Sequence, residues 1–150
     1  MYRTIIAALL AQGLGLGAAT AQEAHVWTTE DEFGNVTFAL ENAIMDAGLV
    51  VDHVSHTGDM LERTRGATGS ERVLYTHADI YSFCSATVSR AVMEADITNV
   101  QYCPYTIFAY EVPESPGLIT VGFRDYPAGA MDQVEAMLSG IVAEALGLEE

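Results

Sequence analysis

The stretch from Tyr105 to Arg124, YTIFAYEVPESPGLITVGFR, decides the fold. Tyr105 to Val112 is rich in β-branched and aromatic residues, which favour strands, and Leu118 to Arg124 repeats that character. Between them, Pro113 to Gly117 has the composition of a turn. The pattern predicts two antiparallel strands joined as a hairpin.

Three other segments carry apolar residues at helical spacing. The first runs from Val36 to Ala47 and is followed by Gly48, a residue typical of the position just after a helix. The second is expected to begin at Ser82 as its N-cap, which would place Cys84 on the inward face of the first turn. The third runs from Met131 to Ala145 and is expected to end at Leu146-Gly147.

Further strands are expected at His25 to Thr28, from Leu49 to near Thr57-Gly58, and from Arg72 to about Ala78, with a short helical turn from Asp59 to Arg65. The order of these elements predicts the α+β class: an antiparallel or mixed sheet of about five strands, with helices packed on one face. Residues 22–150 form a single domain in this prediction, because they contain neither an internal repeat nor a linker.

The N-terminal segment, residues 1–21, has the pattern of a signal peptide. A basic start at Arg3 precedes an almost wholly apolar run from Ile5 to Leu16, and Ala19-Thr20-Ala21 fits a cleavage site. An uncleaved membrane anchor is disfavoured, since Gln12 and several glycines interrupt the run. We expect cleavage after Ala21, a periplasmic or secreted product, and no stable insertion in a membrane.

The charge balance excludes one class of partner. The chain of 150 residues has 6 Lys plus Arg against 21 Asp plus Glu, for a formal net charge of −15. Such a field repels nucleic acid and keeps the protein soluble. No nucleic-acid partner is therefore expected.

Several segments resemble a known family. GLVVDHVSHTGDML from Gly48, RVLYTHADIY from Arg72, CPYTIFAYE from Cys103 and LITVGFRDY from Leu118 are similar to the domain of unknown function 302 (DUF302) family. The resemblance implies an α+β sandwich that pairs into homodimers, with no assigned reaction, and it places His53 in the family's Asp-His motif. Cys84 and the Cys103-Pro104 step depart from the family pattern and resemble an exported subgroup that contains cysteine.

Cys84 and Cys103 are the only cysteines. In an oxidising compartment an even count predicts one disulfide, which would close a loop of about 20 residues and stabilise the fold by about 3 kcal/mol. Two alternatives stay open. A cysteine in the first turn of a helix can have a lowered pKa, which would suit a thiol-redox enzyme, although no CxxC is present. Cys84, Cys103 and His77 could instead hold copper or zinc.

No recognised catalytic motif is present, and we expect a protein that works by binding. Aromatic residues concentrate between positions 75 and 110. The predicted ligand cleft is lined by His53, His77, Tyr81 and Tyr105, and its occupant is a small ligand, a metal or an exported partner protein. A homodimer formed through a sheet edge or through hairpin packing is expected. An enzyme that uses the two cysteines with a nearby histidine is the alternative.

Overall fold

The computed structural model describes residues 23–148. Its five strands and four α-helices follow one another in the order β1, α1, β2, α2, β3, α3, β4, β5, α4. The strands are β1 (Ala24–Glu30), β2 (Val51–His56), β3 (His77–Phe83), β4 (Tyr105–Glu111) and β5 (Leu118–Arg124). The helices are α1 (Phe33–Asp46), α2 (Thr57–Thr64), α3 (Ala86–Ala95) and α4 (Asp132–Leu146).

The strands form one antiparallel sheet in the order β1-β5-β4-β3-β2. The predicted hairpin is confirmed, since β4 pairs with β5 and Phe108 lies opposite Gly122. The α+β class and the five-stranded sheet predicted from the sequence are confirmed as well.

Alternation along the strands gives the sheet a sealed face. Tyr105, Ile107 and Ala109 of β4 are fully buried, as are Val121 and Phe123 of β5. They belong to one core cluster with apolar residues of α1 and α4, and these two helices pack side by side. This face therefore holds the hydrophobic core.

The opposite face, which we call the open face, is only partly covered. One row of paired residues crosses it from β1 to β2: Val26, Gly122, Phe108, Ile80 and Ser55. Ile80 and Phe108 are half-buried, and Val26 is 54% exposed. The open face therefore leaves apolar side chains of the sheet partly exposed to solvent.

Two sequence-based boundaries are wrong. β3 begins at His77 rather than at Arg72, and Ser85 rather than Ser82 caps α3, with its side chain accepting a hydrogen bond from the Val88 amide. The reason is tertiary: residues from His77 onward pair with both β2 and β4, which extends a segment that local periodicity assigned to a helix. Cys84 consequently lies between the strand and the helix.

The predicted ends of α1 and α4 are confirmed, because Gly48 and Gly147 both adopt a positive φ. The predicted signal peptide, residues 1–21, lies outside the described residues. Within residues 23–148, no helix has the length and hydropathy that crossing a bilayer requires.

Substitution of Gly122, on β5, tests the packing between neighbouring strands directly. A Cβ at this position would press against the carbonyl oxygen of His25 and come within 2.8 Å of Phe108 Cζ. We expect Gly122→Ala to lower the free energy of unfolding by about 1–3 kcal/mol, measured by urea denaturation. Gly140→Ala is the control: this site in α4 is open, so it should gain about 0.5–1 kcal/mol. Equal effects of the two substitutions would contradict the register.

Candidate functional site

The two cysteines lie together at one end of the sheet. Cys84 directly follows β3, and Cys103 precedes β4 across a cis peptide bond to Pro104. Because Phe83 pairs with Tyr105, the two cysteines are brought face to face. The Cys84 sulfur accepts a hydrogen bond from the Tyr105 amide, and its second partner is the Cys103 thiol.

Both cysteines are free thiols in the structure, so the predicted disulfide is not formed in it. The sulfurs stand at hydrogen-bonding rather than covalent separation. Cys84 and Cys103 are nevertheless neighbours in the fold.

The environment of Cys84 is the opposite of the one expected from a helix N-terminus. Although the residue is exposed overall, its sulfur packs against neighbouring atoms, and this burial raises the pKa of the Cys84 thiol to about 12. The hydrogen bond and the charge of Cys103, and then the charge of Asp52, act in the same direction. Cys84 is therefore a protonated thiol at neutral pH, and a protonated thiol is a poor nucleophile.

Two hydroxyl groups complete what we call the thiol site, formed by Cys84, Cys103, Ser89 and Tyr105. Ser89 Oγ lies 3.9 Å from Cys103 Sγ and donates a hydrogen bond of 3.2 Å to the Tyr105 hydroxyl. Tyr105 is fully buried, and that burial raises the pKa of its phenol. The charges of Cys103 and Cys84 add to the increase. Tyr105 thus lies in the core next to the thiols and does not line an open cleft.

His77 does not join the cysteines. It begins β3, whereas Cys84 follows the last residue of that strand. At about 3.3 Å per residue the two are separated by roughly 23 Å along the strand. The His77 ring instead stacks on Phe33 with a centroid distance of 4.9 Å. The predicted copper or zinc set of Cys84, Cys103 and His77 is therefore not assembled.

The remaining predicted ligand residues are also dispersed. Tyr81 is 2% exposed, its hydroxyl is hydrogen-bonded to Thr37, and burial raises its pKa to about 12. His53 is exposed on the edge strand β2, opposite Ser82. With Tyr81 and Tyr105 in the core and His77 at the far end of β3, the structure does not bring the four predicted residues into one cleft.

The open face carries a groove that the sequence pattern did not predict. This cavity has a volume of about 280 Å³, close to the lower limit of small-molecule pockets. Its lining comes from β3, β4, the start of α2 and the segment before β3: Thr57, Tyr75, Ala78, Asp79, Ile80, Phe108, Ala109 and Tyr110. The Tyr110 ring contacts both Tyr75 and Phe108. The alternation of Thr106, Phe108 and Tyr110 with buried residues was the available signal.

With this geometry established, the chain can be compared with known proteins. Its structure is similar to the crystal structure of an uncharacterized conserved protein DUF302 from Bacillus stearothermophilus, with a TM-score of 0.60 and 13% sequence identity. The match covers 83% of this chain and 95% of that one. The chain shares its fold with that protein. No family model and no curated protein matches the sequence. The resemblance to DUF302 inferred from sequence is thus confirmed as a likeness of fold.

One histidine on the helix-covered side of the sheet gives this chain a pH-dependent contact. His56 Nδ1 lies 2.8 Å from Asp79 Oδ1, at the junction of β2 and α2. The hydrogen bond with Asp79, followed by its negative charge, raises the pKa of His56 above its usual 6.5. The contact therefore stabilises the fold fully below pH 6.5, and its contribution is lost as the pH rises through the folded-state pKa.

We expect His56→Gln to destabilise the protein by about 0.2–1 kcal/mol in mildly acidic buffer, since the imidazole is 62% exposed, and by less in alkaline buffer. Urea denaturation at both pH values measures the difference. His53→Gln, on the same strand, is the matched control for the loss of an exposed imidazole. A His56→Gln effect that grows with pH would contradict the assignment.

Proposed function

We propose that the protein is an exported homodimeric binding protein that packs the open faces of two copies together and holds a small apolar ligand in the grooves between them. The observation that carries this proposal is the groove of about 280 Å³ on the open face. Its aromatic walls are suited to apolar or aromatic molecules.

The charge distribution supports the open face as a contact surface. Glu30 and Arg124 lie at the rim of the open face. Between these two residues, strands β1, β5, β4 and β3 contribute only uncharged side chains to the open face, including Val26, Phe108 and Tyr110. The whole chain has 21 acidic residues, so a face without them is distinctive. A continuous apolar surface rimmed by polar groups is typical of interaction sites.

A second copy is the occupant that fits this face. Two sheets pack face to face at about 10 Å when each offers an uncharged surface of alternating side chains. A twofold arrangement needs only one self-complementary patch. In such a dimer, Phe108 of each copy is buried and the two grooves become internal, where an apolar ligand is shielded from water.

In this proposal Cys84 and Cys103 form a structural disulfide after export. The two thiols release two protons and pass two electrons to a disulfide of the export compartment, and the S–S bond forms between the neighbouring sulfurs. A thiol of high pKa is a slow attacking group and a slow leaving group. The raised pKa of Cys84 therefore favours a persistent bond over repeated exchange.

A thiol-redox enzyme is the second candidate, and one observation favours it: Cys84 is exposed beside a second thiol, so a partner could reach it. The two candidates differ in what the cysteine substitutions change. A structural bond stabilises the fold, whereas an exchange site depends on Cys84 as the exposed nucleophile.

We expect protein from an oxidising compartment to lack two hydrogens in its intact mass and to resist alkylation until reduced. Replacement of both cysteines by serine should then lower the free energy of unfolding by about 3 kcal/mol and leave the dimer intact. Two alkylated thiols before reduction, together with unchanged stability of the double variant, would contradict the structural disulfide and support the redox candidate.

The dimer is tested by a matched pair of substitutions. Phe108→Asp introduces a charge into the open face and should convert the dimer to a folded monomer. Phe38→Asp makes the same change on α1, where Phe38 is 68% exposed, and should leave the dimer unchanged. Size-exclusion chromatography with light scattering gives the mass, and circular dichroism verifies folding. A neutral apolar dye should bind the wild type and the Phe38 variant better than Phe108→Asp. A monomeric wild type would overturn the proposal.

A further inference from the structure

Three side chains converge beside the edge strand β1. His25 lies on β1, Asp125 directly follows β5, and Glu135 is in the first turn of α4. The pairing of His25 with Phe123 brings β1 alongside the end of β5. The three ligand atoms, one nitrogen and two carboxylate oxygens, all lie within 4.8 Å of one another.

The distances match those of a coordination site. His25 Nε2 lies 3.3 Å from Asp125 Oδ1 and 3.4 Å from Glu135 Oε1. Ligand atoms bound at about 2.0–2.1 Å to a tetrahedral zinc ion are separated from one another by about 3.4 Å. The two distances from His25 thus match edges of such a tetrahedron, and the two carboxylate oxygens, which lie within 4.8 Å of each other, would draw together on a bound ion.

Two contacts outside the set hold the ligands in place. The His25 ring stacks on the buried Phe123 at a centroid distance of 4.9 Å, which limits its rotation. Glu135 Oε1 also accepts a hydrogen bond of 2.7 Å from the Tyr126 amide. Such supporting contacts are typical of metal sites, where neighbours orient the coordinating side chains.

We propose that His25, Asp125 and Glu135 bind a divalent transition-metal ion of the zinc class. An imidazole with two carboxylates offers the nitrogen and oxygen ligands that zinc accepts, and two negative charges balance a divalent ion. All three side chains are partly exposed, so water can reach the group and supply a fourth ligand. This site uses none of the thiol-site residues.

His56 is the control that distinguishes metal binding by His25 from an ordinary ion pair. It also contacts a carboxylate, that of Asp79, but the grouping that contains His25 has two carboxylates. If His25 merely forms ion pairs, the two histidines should respond alike to added metal. If the proposal is correct, substitution of His25 should weaken metal binding and substitution of His56 should not.

The test is titration of the purified wild-type chain with Zn²⁺ in competition with a chromogenic chelator. We expect one zinc ion per chain, with affinity lowered more than about tenfold by His25→Ala and by the nearly isosteric Glu135→Gln. His56→Ala should bind as the wild type does. Zinc should also raise the melting temperature of the wild type and not that of His25→Ala, because a ligand stabilises only the folded state that binds it.

Substitution with Co²⁺ identifies the ligands independently. Visible absorption typical of tetrahedral cobalt, without sulfur-to-cobalt charge transfer in the near ultraviolet, supports the proposed set. Strong charge-transfer absorption that disappears in Cys84→Ser would assign the ion to the thiols and overturn the proposal. Absence of saturable zinc binding, or equal losses in His25→Ala and His56→Ala, would overturn it as well.

Discussion

The pairing of β4 with β5 at the centre of the sheet is the interaction on which the rest of the structure depends. Its register sends Tyr105, Ile107 and Ala109 toward the helices, and it sends Phe108 and Tyr110 the other way. Because side chains alternate between faces, one choice of register seals one face and leaves the other open. The close approach at Gly122 ties β1 to the same register.

This pairing also gathers the chemically distinctive groups at one end of the sheet. The start of β4 adjoins the end of β3, where Cys84 and Cys103 meet, and the end of β5, where Asp125 meets His25. Burial of the sulfur raises the pKa of the Cys84 thiol, whereas partial exposure leaves the His25 group accessible to ions. The open face and this end of the sheet are separate surfaces with separate chemistry.

Local pattern was sufficient for the hairpin, the first and last helices and the glycines that end them. It failed for β3, where the strand exists because two neighbours pair with it, and this error carried Cys84 into a helix that begins two residues later. A pairing of Cys84 with Cys103 could be proposed from the sequence because the chain has only two cysteines. The group of His25 and Asp125 spans 100 residues and has no local signature, so only the folded sheet reveals it.

Hydroxyl-radical footprinting of the unmodified protein tests most directly whether a second copy covers the open face. Oxidation of Phe108 and Tyr110 should decrease as protein concentration is raised from the dissociated to the dimeric range. Phe38, which is 68% exposed on α1, is the internal reference and should stay equally reactive. Constant oxidation of Phe108 in the dimeric range, or protection of Phe38 in its place, would contradict the account.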